Sequence, residues 1–435
     1  LKLFEGFSGG TQAQWEAYMA QEAGKNADAA TAGPVSWEGI AIRPFYMGQH
    51  VTRIATTAQP SAAKPNWLLR QDFEVHLPEL AEALKNAIVQ DVACIGLDIS
   101  GATAAVDTSK LKHIAQALLA AQQAATKPVQ LLVLNIPSAA WAAALRQEVA
   151  NAANIKLVAV GADGIMASLT STQANVQQAV AASTDVLKTL AQGEQWLLSA
   201  MGLQEAGATA VQQLGVLMAL NRLYTQQVGD KPVPLVLELG IGRNFLLEIA
   251  KLRAARQLFA QQGNALAIHA RSVRWNKSAT DVHANLLRTT AEAMSGVLGG
   301  ADAVSILPYN VLKDAPSADG MRLARNIQHV LRHESHLGAV ADAAAGAYFI
   351  EWLTQEVATR ALQFGTDIEA KGGLGAPAAV AYVQVQIAEA AHRTRNEIAQ
   401  GTLPLLNYKP AQKPYPQQGD QSGVPTPWRA LQGVE

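Results

Sequence analysis

Between Trp67 and Leu307 the chain alternates short, almost wholly apolar runs with longer segments in which apolar residues recur at helical spacing. The runs are Trp67–Phe73, Ala93–Ile99, Gln130–Ile136, Lys156–Gly161, Trp196–Met201, Pro234–Gly240, Ala265–Ser272 and Ala301–Leu307. Each has the length of a strand, and their near-continuous apolar character fits strands covered on both faces. The segments between them, such as Pro78–Gln90, Thr108–Ala125, Thr172–Ala191 and Gln204–Tyr224, are rich in Ala, Leu, Gln and Glu. They are long enough to carry a helix back across a sheet. Eight such repeats predict an α/β chain folded as a (β/α)8 TIM barrel, with an open doubly wound sheet as the competing arrangement.

The flanks follow other patterns. Residues 1–65 read as an N-terminal extension: a short helix carrying Phe4, Phe7, Trp15 and Tyr18, a loop, a strand at Trp37–Tyr46 outside the main sheet, and a Thr/Ala/Pro surface loop. The barrel is expected over 66–335. Its last helix, Arg322–His333, is amphipathic, and its basic face is expected to point outward. Residues 336–407 predict further helices, from about Tyr348 to Glu369 and from Ala378 to Gln400, packed on the barrel. Residues 408–435 are dense in Pro, Gln and Gly and read as a tail or linker.

Composition narrows the field. Hydrophobic residues make up 49% and charged ones 16%, enough apolar surface for a large core. The net charge of -1 offers no basic excess for nucleic acid, so no nucleic-acid partner is expected. No apolar run approaches the roughly 18 residues that cross a bilayer, and no membrane association is expected. A lone cysteine, Cys94, sits in the apolar run VACIGLDI, which excludes an internal disulfide framework and suggests a reducing, cytoplasmic setting. Leu1 in place of a start methionine suggests that the first residues are missing.

In an α/β barrel the reacting groups stand at the carboxyl ends of the strands. Those positions hold Asp98 with Ser100, Asn135, Asp163, Met201 with Gly202, Glu238 with Arg243, Arg271 with Arg274, and Ser305. Asp and Asn at such places also cap helices and turns, which is the plainer reading. Glu238 lies inside the run PLVLELG, where a carboxylate is costly unless paired; Arg243, Arg253 and Arg271 are the candidate partners. The string Gly240-Ile241-Gly242-Arg243-Asn244 follows a strand as a dinucleotide fingerprint does, but it lacks the third glycine, and Phe245 stands where a helix approaches a pyrophosphate. His329, His333 and His336 have near-helical spacing without an acidic His-Glu-x-x-His context, so they read as a solvated face and no metal site is expected. Cys94 reads as core.

Five motifs in order carry a family resemblance. They are GIGRNFLLEIAKLRAAR (Gly240–Arg256), WNKSATDVHANLLRTTAEAMSGVLGG (Trp275–Gly300), RLARNIQHVLRHES (Arg322–Ser335), VADAAAGAYFIEWLT (Val340–Thr354) and KGGL (Lys371–Leu374). Together they resemble the adenosylcobalamin-dependent acyl-CoA mutases, above all the methylmalonyl-CoA mutase family. The resemblance covers about residues 196–408 well and 37–73 faintly. It implies a substrate barrel whose axis admits the coenzyme A chain, and a separate cobalamin domain carrying Asp-x-His-x-x-Gly. No cobalamin-binding domain is expected in this chain, because none of its nine histidines sits in that motif.

The departures concentrate at the strand ends. Where the family reads Ser-Gly-Tyr-His-Met-Gln-Glu-Ala-Gly, with the tyrosine and histidine facing the reacting acyl group, this chain reads Ser199-Ala200-Met201-Gly202-Leu203-Gln204-Glu205-Ala206-Gly207. The family's Gln-Thr-Ser-Gly is Arg271-Ser272-Val273-Arg274, and its His-Thr-Asn-Ala is Ser305-Ile306-Leu307-Pro308. Its Gln- and Asn-bearing loop after the fourth strand is Gly161-Ala162-Asp163-Gly164, and its Tyr- and Arg-bearing segment before the first strand is reduced to Ala, Thr and Pro at 55–65. Strands two to four contain no Ser or Thr, so their side chains are expected to fill the axis.

The resemblance therefore implies a non-catalytic small (beta) subunit of a heterodimeric mutase. Such a chain would have no catalytic, cofactor-binding or metal residues of its own, and would be inactive alone within an isomerase family. Its partner would be the catalytic large subunit, which would carry the adenosylcobalamin; a homodimer in isolation is also possible. The alternative is an active substrate-binding subunit that borrows a cobalamin domain from another chain. A third is a barrel turned to a different ligand through Glu238 and Arg271.

Overall fold

Eight parallel strands close on one another in the order in which the chain makes them. The computed structural model describes residues 11, 13–15, 17, 18, 21, 36–43, 46–51 and 66–406, apart from 163, 171–175, 230, 231, 264 and 313–316. Of the surface loop expected over 51–65 only Val51 is described, and the tail expected over 408–435 lies outside these residues. The chain divides into two compact units, Leu1–Gly48 and Gln49–Glu435.

In the first unit, β1 (Ser36–Trp37) and β2 (Ile40–Ala41) pair antiparallel. Glu38 and Gly39 between them both have positive φ, at 52° and 84°, as a two-residue hairpin turn of the primed type requires. The single strand expected at Trp37–Tyr46 is thus a small hairpin.

In the second unit the barrel strands are β3 (Leu68–Glu74), β4 (Cys94–Asp98), β5 (Val129–Leu134), β6 (Ile155–Val160), β7 (Gln195–Ser199), β8 (Leu235–Ile241), β9 (Leu266–Ser272) and β10 (Ala303–Ser305). The sheet closes where β10 pairs with β3, giving the (β/α)8 barrel. All eight apolar runs are strands. The fifth ends at Ser199, two residues earlier than its apolar pattern suggests, because Ala200 turns out of extended backbone (φ -93°, ψ 6°) and starts a short helix.

The helices are α1 (Leu80–Val89), α2 (Thr108–Ala124), α3 (Ala139–Ala150), α4 (Gly164–Thr170), α5 (Val176–Lys188), α6 (Met201–Glu205), α7 (Ala210–Gln227), α8 (Phe245–Ala260), α9 (Ala284–Leu298), α10 (Ala318–His333), α11 (Tyr348–Ala370) and α12 (Pro377–Ala399). Their starts follow from local chemistry. Asp107 caps α2, Asn244 caps α8, and Thr209 with Gln212 forms a reciprocal capping box on α7.

Inside the barrel lies an apolar cluster drawn from seven strands: Cys94, Leu132, Leu134, Ala159, Leu197 and Val236, with Leu68, Val158 and Ala267 packed against it. Side chains therefore fill this part of the axis.

The amphipathic helix α10 differs from its sequence reading. Two of its arginines turn inward: Arg325 is buried and donates to Gln71 Oε1 (2.8 Å) and Gln90 Oε1, while Arg332 donates to the Trp67 carbonyl and lies 5.0 Å over the Trp67 ring. Long arginine side chains reach polar strand residues that a count of apolar positions overlooks. His329 and His333 stack on each other, and His329 Nε2 meets the Gln90 carbonyl at 3.1 Å.

Outside the barrel, α11 packs against α7 and α8, most closely where Gly215 meets Gly365. A β-carbon on Gly215 would stand 2.8 Å from the Phe364 ring and 2.9 Å from the Ala361 carbonyl oxygen. Alanine in place of glycine ordinarily strengthens a helix by up to about 1 kcal/mol. Here the backbone clash dominates, and Gly215→Ala is expected to lower stability by about 1–3 kcal/mol in urea denaturation; a gain in stability would show that the two helices are free to separate.

Candidate functional site

Above the apolar cluster the barrel axis is occupied by charge. Arg70, Asp72, Glu238, His269, Ser199 and Ser305 share the inner face because the ladder pairs them in register: Ser199 with Glu238, Glu238 with His269, and Ser305 with Arg70. Arg70 on β3 and Glu238 on β8 are three ladders apart by the shorter route, yet Nη2 of Arg70 is hydrogen-bonded to Glu238 Oε1 across the interior. Both side chains are wholly buried.

Further polar contacts surround this pair. Arg70 Nε donates to Asp72 Oδ1 at 2.8 Å, and Nη1 faces His269 Nδ1 at 3.2 Å. Ser199 Oγ donates to Glu238 Oε2 at 2.6 Å, and Ser305 Oγ donates to Asp72 Oδ2. Arg271 brings Nε to 3.4 Å from the same Asp72 oxygen. Two arginines and two carboxylates leave the cluster electrically balanced, the condition on which buried ions are tolerated.

This balance sets the protonation states. Burial works against the charge on Arg70, but Asp72 and Glu238 outweigh it and hold the guanidinium above its ordinary range. Burial also tends to raise the Asp72 carboxyl, and Arg70, Arg271 and the Ser305 hydroxyl override it, leaving it at about 2. Burial, and then the neighbouring Arg70, push the His269 imidazole down to about 3, so the ring is neutral and accepts from Arg70. Burial likewise pushes the Cys94 thiol up to about 12, which removes it as a nucleophile.

The partners expected for Glu238 were Arg243, Arg253 and Arg271; the structure supplies Arg70 instead. Arg253 is engaged elsewhere, with Asp342 and with Glu351 Oε1 at 2.8 Å. Arg243 is exposed. Arg70 and Asp72 carry no expectation from the strand ends, because both stand inside the run WLLRQDF, which its apolar positions mark as a strand. A usable signal was their spacing of two, which places both on one face of a strand. Another was Gly96 on the neighbouring β4, where a β-carbon would stand 1.9 Å from Asp72 Oδ1.

Asp98 Oδ1 accepts from Ser100 N (2.8 Å) and from Asn135 Nδ2 (2.7 Å), bracing Asn135 at φ 60°. Asp163 lies outside the described residues. Met201 and Gly202 open α6 and are half-buried, and a β-carbon on Gly202 would meet nothing within 4 Å. Arg274 is 3.8 Å from Glu74, and its backbone N–H donates to Glu205 Oε1 at 2.6 Å.

The glycine string after β8 is held by protein groups. Lys251 Nζ donates to the Gly240 carbonyl (2.7 Å), and Gly242 N donates to Glu248 Oε1 (3.0 Å). A β-carbon at Gly240 would come within 2.1 Å of Gln204 Oε1. These glycines admit Gln204 and Glu248 where a dinucleotide fingerprint admits a pyrophosphate. A second buried pair, Lys277 with Glu292 at 2.7 and 2.8 Å, is completed by Asn276. Burial lowers the Lys277 pKa and raises that of Glu292.

Comparison with known proteins adds an independent line. The profile of a family described as Methylmalonyl-CoA mutase matches residues 169–414, more than half of the chain. The chain is 34% identical over 235 residues to the methylmalonyl-CoA mutase small subunit of Porphyromonas gingivalis (strain ATCC BAA-308 / W83), covering 48% of this chain and 38% of that protein. To the small subunit of Streptomyces virginiae it is 31% identical over 257 residues, covering 52% and 41%. To the mitochondrial methylmalonyl-CoA mutase of Homo sapiens it is 33% identical over 223 residues, covering 47% and 30%. The match thus spans about two fifths or less of the length of these relatives.

Two outcomes follow from the buried cluster. Arg70→Met strands Glu238 and is expected to cost about 3–5 kcal/mol in chemical denaturation, whereas Arg70→Met with Glu238→Leu loses less than the single change; a larger loss in the double variant would refute the pairing. The pH dependence has a fixed sign. An unfolded chain protonates His269 below about pH 6.5 while the folded one resists to about 3, so stability falls as pH drops through that window. Asp72 adds a further loss between 3.8 and about 2. His269→Asn, which keeps an acceptor for Arg70, should flatten the profile between pH 6.5 and 5 in urea melts; an unchanged slope would count against a neutral His269.

Proposed function

Since the chain belongs to the methylmalonyl-CoA mutase family, we propose that it acts as the non-catalytic small (beta) subunit of a heterodimeric mutase. In this reading it supports a large subunit that isomerises methylmalonyl-CoA to succinyl-CoA. One observation carries the reading: Arg70 and Glu238 join across the barrel axis, in the channel that the family resemblance assigns to the coenzyme A chain. Threading a pantetheine arm there means separating two buried opposite charges, and the arm's amide and hydroxyl groups cannot replace either of them. The apolar cluster beneath the pair gives the arm no further route.

The chain's residues do not fit an adenosylcobalamin site either. A cobalt ligand of the family type is an accessible imidazole in Asp-x-His-x-x-Gly, and no histidine here has that sequence. His269, at the barrel centre, has its Nδ1 turned to Arg70. In this reading the large subunit carries the adenosylcobalamin. Naming of the relatives as small subunits supports a large-subunit partner.

At the end of β7 the departure from the family is chemical, with space left over. A β-carbon at Gly202 would meet nothing within 4 Å, so crowding at that atom does not require the glycine. The barrel core below is what the reading rests on.

The reading makes a direct demand on the isolated chain. With adenosylcobalamin and methylmalonyl-CoA it should form no succinyl-CoA, and calorimetric titration with methylmalonyl-CoA should show no saturable heat. Met201→Tyr with Gly202→His should fold normally and still not turn over. Co-expressed with the large subunit, the chain should elute with it as a heterodimer. Saturable acyl-CoA binding would instead favour a substrate-binding subunit that uses a cobalamin domain on another chain.

A further inference from the structure

Several helices around the barrel turn charge toward solvent. Exposed ion pairs join Glu82 to Lys85 on α1, Asp319 to Arg322 on α10 and Glu356 to Arg360 on α11. α9 departs from this pattern. Its buried face carries Asn285, Thr289, Glu292 and Gly296, and the opposite face carries Leu287, Ala291, Met294 and Leu298. These four are spaced by four, three and four residues, as in the seam of a coiled coil. Leu287 is 69% exposed, Ala291 is exposed, and Met294 and Leu298 are half-buried.

The two charged residues of α9 do not serve this face. Glu292 is buried with Lys277, and Arg288 donates to Asn285 Oδ1 at 3.0 Å and to the Leu406 carbonyl at 2.7 Å. The solvent side of a surface helix is ordinarily polar, and an apolar stripe there marks a surface that something covers.

The bond to Leu406 brings a candidate to the stripe. Beyond α12, Leu403 and Leu405 pack against Ile398, and the Leu406 carbonyl is taken by Arg288, the sequence neighbour of Leu287. Residues 407–435 are therefore tethered at one end of the stripe. Their large apolar side chains are Tyr408, Tyr415, Val424, Trp428, Leu431 and Val434, and the last four of these fall between 424 and 435. The stripe is about 16 Å long by helical rise. At about 3.3 Å per residue, the chain from Leu406 to Trp428 exceeds that length when extended. A segment tethered so close acts at an effective concentration on the order of millimolar, so a contact too weak to hold a free partner holds the chain's own end.

We propose that the apolar stripe on α9 is the seat of this chain's own residues 424–435, with Trp428 and Leu431 laid between Leu287 and Met294. The bond from Arg288 to Leu406 fixes the point from which the segment sets out. This role does not depend on whether the chain is catalytic.

Disulfide trapping in the full chain tests the seat. Ala291→Cys with Ala430→Cys leaves Leu287, Met294, Trp428 and Leu431 in place, and Cys94 is buried and does not compete. Under mild oxidation with diamide, followed by peptide mass spectrometry, this pair should close within one chain at least about tenfold faster than Thr359→Cys with Ala430→Cys. Thr359 is an exposed position of α11. Leu287→Asp, also at an exposed position, should slow the first pair by about fivefold and leave the second unchanged. Equal closure at the two positions would leave the stripe to another protein, and a disulfide between two chains would assign it to a second copy. Either result, or closure unaffected by Leu287→Asp, overturns the proposal.

Discussion

The contact between Arg70 and Glu238 organises the barrel because a charge at the axis cannot stand alone. Once a guanidinium is buried there, each of its donors needs an acceptor and each acceptor needs its own remaining lone pairs satisfied. That requirement accounts for Asp72 beside Arg70, Ser305 and Arg271 beside Asp72, Ser199 beside Glu238, and a neutral His269. It also accounts for Gly96, since any side chain there would occupy the position of the Asp72 carboxylate. A barrel filled only with apolar layers would not impose these identities on six strands.

The family motifs that persist are used as internal fasteners. Arg253, in the segment after β8, ties to Asp342 and Glu351 in the segment leading into α11. Glu205, from the remnant of the strand-five motif, holds the backbone of Arg274. Gln328 on α10 accepts from the Trp67 indole at the base of β3. Groups that fasten helices to strands retain a physical role whether or not a substrate enters.

Much of the architecture was legible in the sequence. Strands covered on both faces advertise themselves as continuous apolar runs, so all eight were found, with end errors of one or two residues. The end of β7 was misplaced because Ala200 and Met201 are apolar and carry no turn signal, although Ser199 proves to be the last strand residue. The contents of the barrel were only half legible. Apolar filling follows from strands two to four, but the charges come from β3 and β8, and their pairing depends on which residues face inward around a closed sheet. The inward turn of Arg325 and Arg332 was hidden for a related reason, since a helical pattern does not tell a solvated arginine from one that reaches a buried glutamine.

The crossing pair also bears on how such a chain can change over generations. Clearing the axis requires removing two opposite charges, and a chain that has lost only one carries an uncompensated ion in its core and folds poorly. The first step in either order is therefore the costly one. By contrast, a β-carbon placed at position 202 meets nothing within 4 Å. The barrel thus works as a latch: the strand end at position 202 tolerates change, whereas the axis resists any change made one charge at a time.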